Sequence, residues 1–258
     1  MFWLYEEELP PGVGVERFGA VHLIYIASFL SLALLCALFR RGMNARRRKS
    51  FDRILGSAVF FCGLCEYGVT ALLGHMSLYA LPLHVCALMY GFVFLHAWTG
   101  GAKPGSPAAK LHGFLGALIF HPGVLGALSA LLFPDWLYYP YWHYLSLSSF
   151  FGHGLVLVYG ASLLADLARA PEQKALLLHD LRASALFLAL GALVMYVFDR
   201  ASGTNYWFMA GPGNDSPFLG VYERGGPGGY YLAFALTAIA VTLIWYGLRY
   251  AVFVKRKR

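Results

Sequence analysis

Three side chains with the chemistry for acyl transfer, Glu66, Cys86 and His153, lie inside apolar segments of this 258-residue chain. A thiol becomes a strong nucleophile when a base removes its proton, and a carboxylate can orient that base. Cys86 would then carry the acyl group as a thioester, while His153 shuttles the proton. Glu66 would orient the histidine or stay neutral as a hydrogen-bond donor. Because ionisable groups are costly in hydrocarbon, these three residues are candidates for function.

Nearby histidine and cysteine residues are weaker candidates. His84 stands two residues before Cys86, which on a regular helix turns the two side chains about 200° apart. We therefore expect His84 to support the site rather than act as the direct base, unless Pro82 distorts that turn. Cys62 and Cys65 form a CxxC pair, but no second pair completes a zinc site. We expect neither a metal ion nor a cofactor.

The composition identifies the kind of element that must position these residues. The chain is 59% hydrophobic and only 13% charged, with a mean hydropathy of +0.59. A soluble domain usually carries about 25% charged residues. These values exclude a disordered or nucleic-acid-binding protein, despite a net charge of +7, and predict a polytopic membrane protein.

Seven apolar runs approach the length of about 20 residues that a membrane-spanning helix needs. They cover approximately residues 19–39, 54–73, 79–98, 111–133, 145–165, 181–198 and 230–248. We detect no internal repeat of the kind that marks many transporters. The predicted fold is all-α, a seven-helix transmembrane bundle that forms one integral membrane domain over residues 1–258.

The distribution of Lys and Arg predicts the orientation of the bundle. All but three of the 20 basic residues fall in the first, third and fifth loops or in the C-terminal tail, and the exceptions are Arg17, Arg200 and Arg224. Cytoplasmic loops are enriched in Lys and Arg. The N-terminus is therefore predicted to lie outside (or in a lumen) and the C-terminus in the cytoplasm. The basic loops would attract anionic headgroups, and no nucleic-acid partner is expected.

Depth in the membrane supports one shared site. At about 1.5 Å per helical residue, Cys86 lies about 10 Å below the outer surface and His153 about 12 Å below it. Glu66, counted back from the outer end of the second span, reaches a similar depth. Three reactive side chains on three helices therefore meet in the outer half of the membrane.

A long outer loop over residues 199–230 is the other informative segment. Loops of this length are usually disordered or functional, and the aromatic content of this one argues against disorder. It could re-enter the membrane and supply hydrogen-bond donors to the site from Thr204, Asn205 or Tyr206. Equally, it could form a surface cap held by aromatic residues at the membrane interface.

Several motifs occur in one order along most of the chain. They are Glu66 in the second span, LPLHVC at 81–86, FFGHG at 150–154, GTNYWFM at 203–209 and PGNDSPF at 212–218. Together they resemble the YwaF-like integral membrane proteins, a family that includes the eukaryotic transmembrane protein 164. A more distant similarity is to the androgen-induced-gene hydrolases of fatty acid esters.

The resemblance implies a lipid acyltransferase that moves a fatty acyl chain between phospholipids or lysophospholipids. By position in the motifs, Cys86 would be the nucleophile and His153 the base. The implied partners are lipid substrates and membrane lipids, while protein partners stay unknown. A bacterial cytoplasmic membrane is expected rather than an organelle membrane, with the site toward the outer or lumenal leaflet.

Other function classes compete with this interpretation. A proton- or ion-coupled transporter or channel would use Glu66 and the intramembrane histidines as a relay. A haem-binding cytochrome would need histidine ligands, but His84 and His96 are about 120° out of phase on one helix. A retinal protein is excluded because all six lysines lie in loops or the tail.

Overall fold

The computed structural model describes residues 2–4, 6–167, 173–213 and 216–254. The chain divides into two compact units, Met1–Asp166 and Leu167–Arg258. Within the described residues both units are built from helices, without a β-strand. The α-helices are α1 Ala20–Gly42, α2 Ala45–Gly63, α3 Val69–Leu72, α4 Val85–Thr99, α5 Pro107–Leu118, α6 Val124–Leu132, α7 Tyr144–Ser162, α8 Leu164–Leu167, α9 Gln173–Ser202 and α10 Leu219–Arg249.

Six continuous helical segments of the described chain are long and apolar enough to cross a membrane. They are Ala20–Gly42, Ala45–Leu72, Pro107–Leu132, Tyr144–Leu167, Lys174–Ser202 and Leu219–Val254. The all-α class and the membrane-spanning character are therefore confirmed. The predicted span that is missing from these six, the third one over residues 79–98, corresponds to α4, an apolar helix of 15 residues. A count of seven spans and the orientation of the termini stay predictions.

Helix α4 begins later than the sequence predicted. The apolar run starts at Tyr79, but residues Leu78–Ala80 form only a short 3-10 turn, and Leu81 and His84 both have extended backbones. Pro82 lacks an N–H group and disfavours the helical conformation of the residue before it. The hydropathy pattern does not show that the helix is absent around Pro82, because a leucine stands on each side of the proline.

Two of the long segments contain a π-helical turn, which the sequence did not predict. Leu64–Gly68 separates α2 from α3, and Ile119–Gly123 separates α5 from α6. In the second turn Pro122 cannot donate a backbone hydrogen bond, and a π-turn accommodates such a residue inside a continuous helix. In the first, the residue at the centre of the turn is Glu66.

Helix α7 is the centre of the first unit. It packs against α1, α2 and α6, and most of its residues are buried. Its glycines make this close packing possible. A Cβ atom added at Gly154 would meet the ring of Phe29 on α1, and one added at Gly160 would meet Val124 on α6. The same small residues hold α7 close enough for its polar side chains to reach neighbouring helices.

One end of the first unit is held by ion pairs around Arg40, the last buried residue of α1. The Arg40 guanidinium pairs with Asp52 on α2 and with Asp166, at 2.6 Å for the latter. Arg48 also pairs with Asp166, at 2.9 Å. Three segments of the chain are thereby joined through one arginine that is only 3% exposed.

The second unit contains α9, α10 and the segment that connects them. The predicted loop over 199–230 is shorter in the structure, because α9 continues to Ser202 and α10 begins at Leu219. The Gly/Pro-rich part of the predicted loop belongs to α10, which bends at Gly226, where φ is 61°. Near the other ends of these helices Arg249 and Asp180 form a buried ion pair at 2.6 Å.

We expect Arg40→Ala to lower the free energy of unfolding by about 3 kcal/mol, because it leaves carboxylates without their buried partner. Denaturant and thermal unfolding in detergent measure this change. Arg46→Ala is the matched control, since that side chain is exposed at the start of α2 and its loss should change stability by less than about 0.5 kcal/mol. Equal stability of the two variants would contradict a structural role for the ion pairs.

Candidate functional site

Glu66 occupies the π-helical turn that follows α2, and its carboxylate is held by neighbouring hydroxyl groups. The Tyr90 hydroxyl donates to Glu66 Oε2 at 3.1 Å, and the side chains of Tyr67 and Ser149 also hydrogen-bond this carboxylate. π-turns occur often at functional sites, because they displace a side chain from the regular helical positions. The hydrogen bonds offset the cost of removing a carboxyl group from water.

Tyr90 lies at the centre of the three helices that carry the predicted site residues. Its ring is 3% exposed and is packed between Gly63 of α2 and Gly152 of α7. Cys86 precedes it by one helical turn on α4, and the ring of His153 meets it edge-on with the centroids 6.3 Å apart. We call Glu66, Cys86, Tyr90, Ser149 and His153 the Tyr90 cluster.

The imidazole of His153 is fixed in one orientation. His153 Nδ1 lies 2.7 Å from the carbonyl oxygen of Ser149, and because a carbonyl oxygen only accepts, Nδ1 carries the proton. His153 Nε2 then has a free lone pair. This atom is buried, and no described residue hydrogen-bonds to it. The indole of Trp136 stacks on the imidazole at 4.9 Å between centroids, with 17° between the planes.

Cys86 lies in the first turn of α4, where backbone N–H groups have no helical partner. Its half-buried thiol accepts hydrogen bonds from the N–H groups of Ala87 and of Cys86 itself. His84 is the N-cap residue, with an extended backbone. The predicted separation of about 200° between His84 and Cys86 held for a regular helix unless Pro82 distorts the turn, and the extended backbone of His84 is such a distortion.

The structure brings Glu66, Cys86 and His153 into one region without joining them by hydrogen bonds. Among the described residues, the His153 imidazole hydrogen-bonds only to the Ser149 carbonyl, so neither the Cys86 thiol nor the Glu66 carboxylate is its partner. Glu66 reaches His153 through Ser149, whose hydroxyl faces the carboxylate and whose carbonyl holds the imidazole. Glu66 therefore orients His153 only indirectly, through Ser149.

Thr204, Asn205 and Tyr206 belong to the second unit and stabilise their own turn. Thr204 Oγ1 and the Tyr206 backbone N–H donate to Asp199 Oδ1 at 2.7 and 2.8 Å. The Asn205 side chain accepts from Ala210 N–H and donates to the Gly211 carbonyl. These bonds hold a tight turn in which Trp207 and Phe208 adopt positive φ angles. Their predicted role as donors to the site stays a prediction.

Two other intramembrane histidines have hydrogen-bond partners away from the Tyr90 cluster. His22 Nε2 lies 2.7 Å from the Leu131 carbonyl oxygen, and His96 Nδ1 lies 2.7 Å from the Tyr159 hydroxyl. Within residues 2–4, 6–167, 173–213 and 216–254, no group of three His, Cys, Asp or Glu side chains could hold a metal ion.

A cavity of about 440 Å³ lies between the N-terminal segment and the loop before α7. It is lined by Leu9, Pro10, Pro11, Gly12, Gly14, Val15, Glu16, Leu137 and Tyr138. None of the predicted site residues lines it, although Leu137 follows directly after the Trp136 that stacks on His153.

The residues that carry these contacts fall within the region recognised by a sequence model of one family, the TMEM164 family, which matches residues 17–247. The chain belongs to the TMEM164 family. No curated protein and no solved structure matches the chain. Membership of the TMEM164 family agrees with the integral membrane character, while the wider YwaF-like and androgen-induced-gene relations stay predictions.

In this member of the TMEM164 family, sequence reasoning missed Tyr90, Ser149, Trp136 and Asp135. Tyr90 stands four residues after Cys86, and Ser149 stands four residues before His153. This spacing places two side chains on one face of a helix. Asp135 is exposed, and its charge acts on Glu66, Cys86 and His153. The sequence signal for Asp135 and Trp136 was an acidic residue next to a tryptophan in a short apolar loop.

We expect Gly152→Ala to destabilise the protein by about 1–3 kcal/mol, because the new methyl group would overlap the ring and hydroxyl of Tyr90. Scanning fluorimetry in detergent measures the loss. Gly126→Ala on α6 is the matched control, since its Cβ meets open space and alanine favours a helix. If both variants melt at the same temperature, Tyr90 is not held in the position described.

Proposed function

We propose that the chain is a membrane lipid acyltransferase that moves a fatty acyl chain between phospholipids and lysophospholipids through a thioester at Cys86, with His153 as the base. The observation that carries the proposal is the buried and unpartnered Nε2 atom of His153, in the same cluster as a half-buried thiol. Membership of the TMEM164 family supports the membrane setting.

His153 has the features of a general base. A base needs a free lone pair at a defined position, and the Ser149 carbonyl fixes the tautomer that provides it. Burial excludes bulk water, which otherwise competes for the proton. The stacked indole and the edge of Tyr90 restrict rotation of the ring.

Cys86 has the features of a nucleophile placed for acyl transfer. Removal from water disfavours the Cys86 thiolate, and hydrogen bonds from the backbone N–H groups at the start of α4 oppose that effect. Because the thiol is only half buried, a lipid ester can approach it.

The reaction has two half-reactions. In the first, the Cys86 proton passes to His153, the sulfur attacks the ester carbonyl carbon of a phospholipid, and the leaving lysophospholipid oxygen takes the proton. In the second, the hydroxyl of an acceptor lysophospholipid gives its proton to His153 and attacks the thioester. The C–S bond breaks, and the thiolate recovers the proton. No hydrogen bond joins Cys86 to His153 in the structure, so a water or a substrate hydroxyl relays the proton between them.

Glu66 and Tyr90 exchange no proton in these steps, but they hold together the helices that carry the reacting groups. The Glu66 carboxylate binds the Ser149 hydroxyl and the Tyr90 hydroxyl, which ties α7 to α4 at the level of the site. We place the site toward the outer or lumenal leaflet, with a bacterial cytoplasmic membrane as the setting. This placement rests on the distribution of Lys and Arg along the chain.

Acyl transfer predicts that the purified protein in nanodiscs forms a hydroxylamine-sensitive adduct with a fluorescent-acyl phospholipid. We expect Cys86→Ala to abolish the adduct and His153→Gln to slow its formation by about a hundredfold or more, the usual effect of losing a general base. In-gel fluorescence with and without hydroxylamine measures both.

Cys36→Ala is the control for general loss of a thiol, because Cys36 is also half buried but lies on α1 outside the Tyr90 cluster. It should form the adduct at the wild-type rate. Folding of every variant is checked by its melting temperature. An adduct that persists in Cys86→Ala would refute the proposed nucleophile.

A proton- or ion-coupled transporter remains the second candidate, and one observation favours it. The π-turns at Leu64–Gly68 and Ile119–Gly123 lie within two continuous spans and contain Glu66 and His121, two ionisable residues of those spans. π-turns are frequent at functional sites, and ionisable residues inside spans are typical of ion pathways.

The two functions differ in their response to Glu66→Gln. A transporter predicts pH-dependent flux in proteoliposomes that survives Cys86→Ala and is lost in Glu66→Gln. The acyltransferase predicts no such flux, and a Cys86 adduct that still forms in Glu66→Gln at a reduced rate. Flux of a pH-sensitive dye and the gel assay above, on the same preparations, decide between them.

A further inference from the structure

Two buried polar atoms, on a pair of rings that stack on each other, have no hydrogen-bond partner among the described residues. They are Nε2 of His153 and Nε1 of Trp136. The first is an acceptor, because the proton of this imidazole is on Nδ1. The second is an indole N–H, which can only donate. A buried donor and a buried acceptor without partners each cost free energy that a suitable ligand would recover.

The two rings cannot satisfy each other. They are stacked, with centroids 4.9 Å apart and planes 17° from parallel. A ring nitrogen donates or accepts a hydrogen bond in the plane of its own ring. In two stacked rings these planes are nearly parallel, so neither nitrogen points at the other. Phe150 holds the indole from another side, edge to face at 5.6 Å, which keeps Trp136 in the stacked position.

We propose that Trp136 Nε1 and His153 Nε2 together bind the hydroxyl group of the acyl acceptor. A hydroxyl group has one proton to give to Nε2 and a lone pair to accept from the indole N–H. The pair therefore fits R–OH, where R is the glycerol backbone of a lysophospholipid or, for hydrolysis, hydrogen. The inference rests on the proposed function and names the acceptor site of the second half-reaction.

The proposed site activates the acceptor by removing its proton at the moment of attack. The acceptor O–H proton moves to His153 Nε2, and the oxygen forms a bond to the thioester carbonyl carbon. The C–S bond breaks with its electron pair on Cys86, and the imidazolium returns the proton to the thiolate. The products are an ester and free Cys86, or a fatty acid and free Cys86 when the acceptor is water. Trp136 holds the acceptor oxygen and exchanges no proton.

The charged and titratable groups around this site come from several elements. Asp135 precedes Trp136 in the loop, His84 lies at the start of α4, and Glu66 reaches the imidazole through Ser149. Asp135 and His84 act on His153 by charge, so the assays are run at one fixed pH. The expected effects come from the indole N–H alone.

The test is Trp136→Phe, which keeps an aromatic ring against His153 and removes only the indole N–H. The acyl adduct on Cys86 is formed from a fluorescent-acyl phospholipid, and its loss is followed with lysophospholipids of four headgroups (choline, ethanolamine, glycerol and serine) or with water alone. We expect transfer to lysophospholipid and formation of the adduct both to be slowed by about tenfold or more, the effect of one hydrogen bond in the transition state, because the hydroxyl group that attacks in the second half-reaction is the same kind of group that leaves in the first.

Trp142→Phe is the matched control, because Trp142 lies in the same loop but is exposed. It should behave as wild type in both half-reactions. If Trp136→Phe slows only the loss of adduct in water alone, the occupant of the site is water and the enzyme is a hydrolase. If Trp136→Phe consumes the adduct as fast as wild type with every acceptor, the inference is wrong.

A second measurement separates this inference from the proposed function. If wild-type protein forms no Cys86 adduct, the proposed function fails, and the acceptor site is tested by binding instead. Native mass spectrometry of the Cys86→Ala protein compares bound lysophospholipid with and without Trp136→Phe. Binding about tenfold weaker in the double variant supports the hydroxyl site, and unchanged binding overturns it.

Discussion

A polar side chain inside an apolar helix has to find its hydrogen-bond partner within the protein, because hydrocarbon offers none. In this chain that constraint decides where the helices can approach one another. Glu66 is accommodated only where the hydroxyl groups of Tyr90, Tyr67 and Ser149 converge on it. Arg40 is accommodated only between two carboxylates.

Because buried polar atoms normally have hydrogen-bond partners, the buried polar atoms that have none are informative. Two buried polar atoms at His153 and Trp136 have no hydrogen-bond partner among the residues that the structure describes, and they lie on stacked rings. Small residues on α7 allow this crowding. Gly152 lets Tyr90 approach the helix, and Gly154 lets Phe29 do so on another side. The site is therefore built by close packing around one helix rather than by a mobile loop.

The sequence was sufficient for the helical class, for three of the predicted spans to within a few residues at both ends, and for Glu66, Cys86 and His153 as members of one region. It was not sufficient for the start of α4, because leucines conceal the effect of Pro82 in a hydropathy pattern. π-turns leave no periodic signal. Tyr90 and Trp136 resemble ordinary core or interfacial aromatics, and their importance depends on which helices pack together, which one sequence does not state.

The short length of α4 has a consequence for the backbone that precedes Cys86. Fifteen residues extend about 22 Å, whereas the hydrocarbon core is about 30 Å thick. Cys86 stands at the very beginning of this helix, after a non-helical stretch over 81–84. Irregular backbone at membrane depth is stable only when it is buried in protein or wetted. The first turn of α4, with Cys86 in it, therefore depends on the surrounding protein or on water for the hydrogen bonds of its backbone.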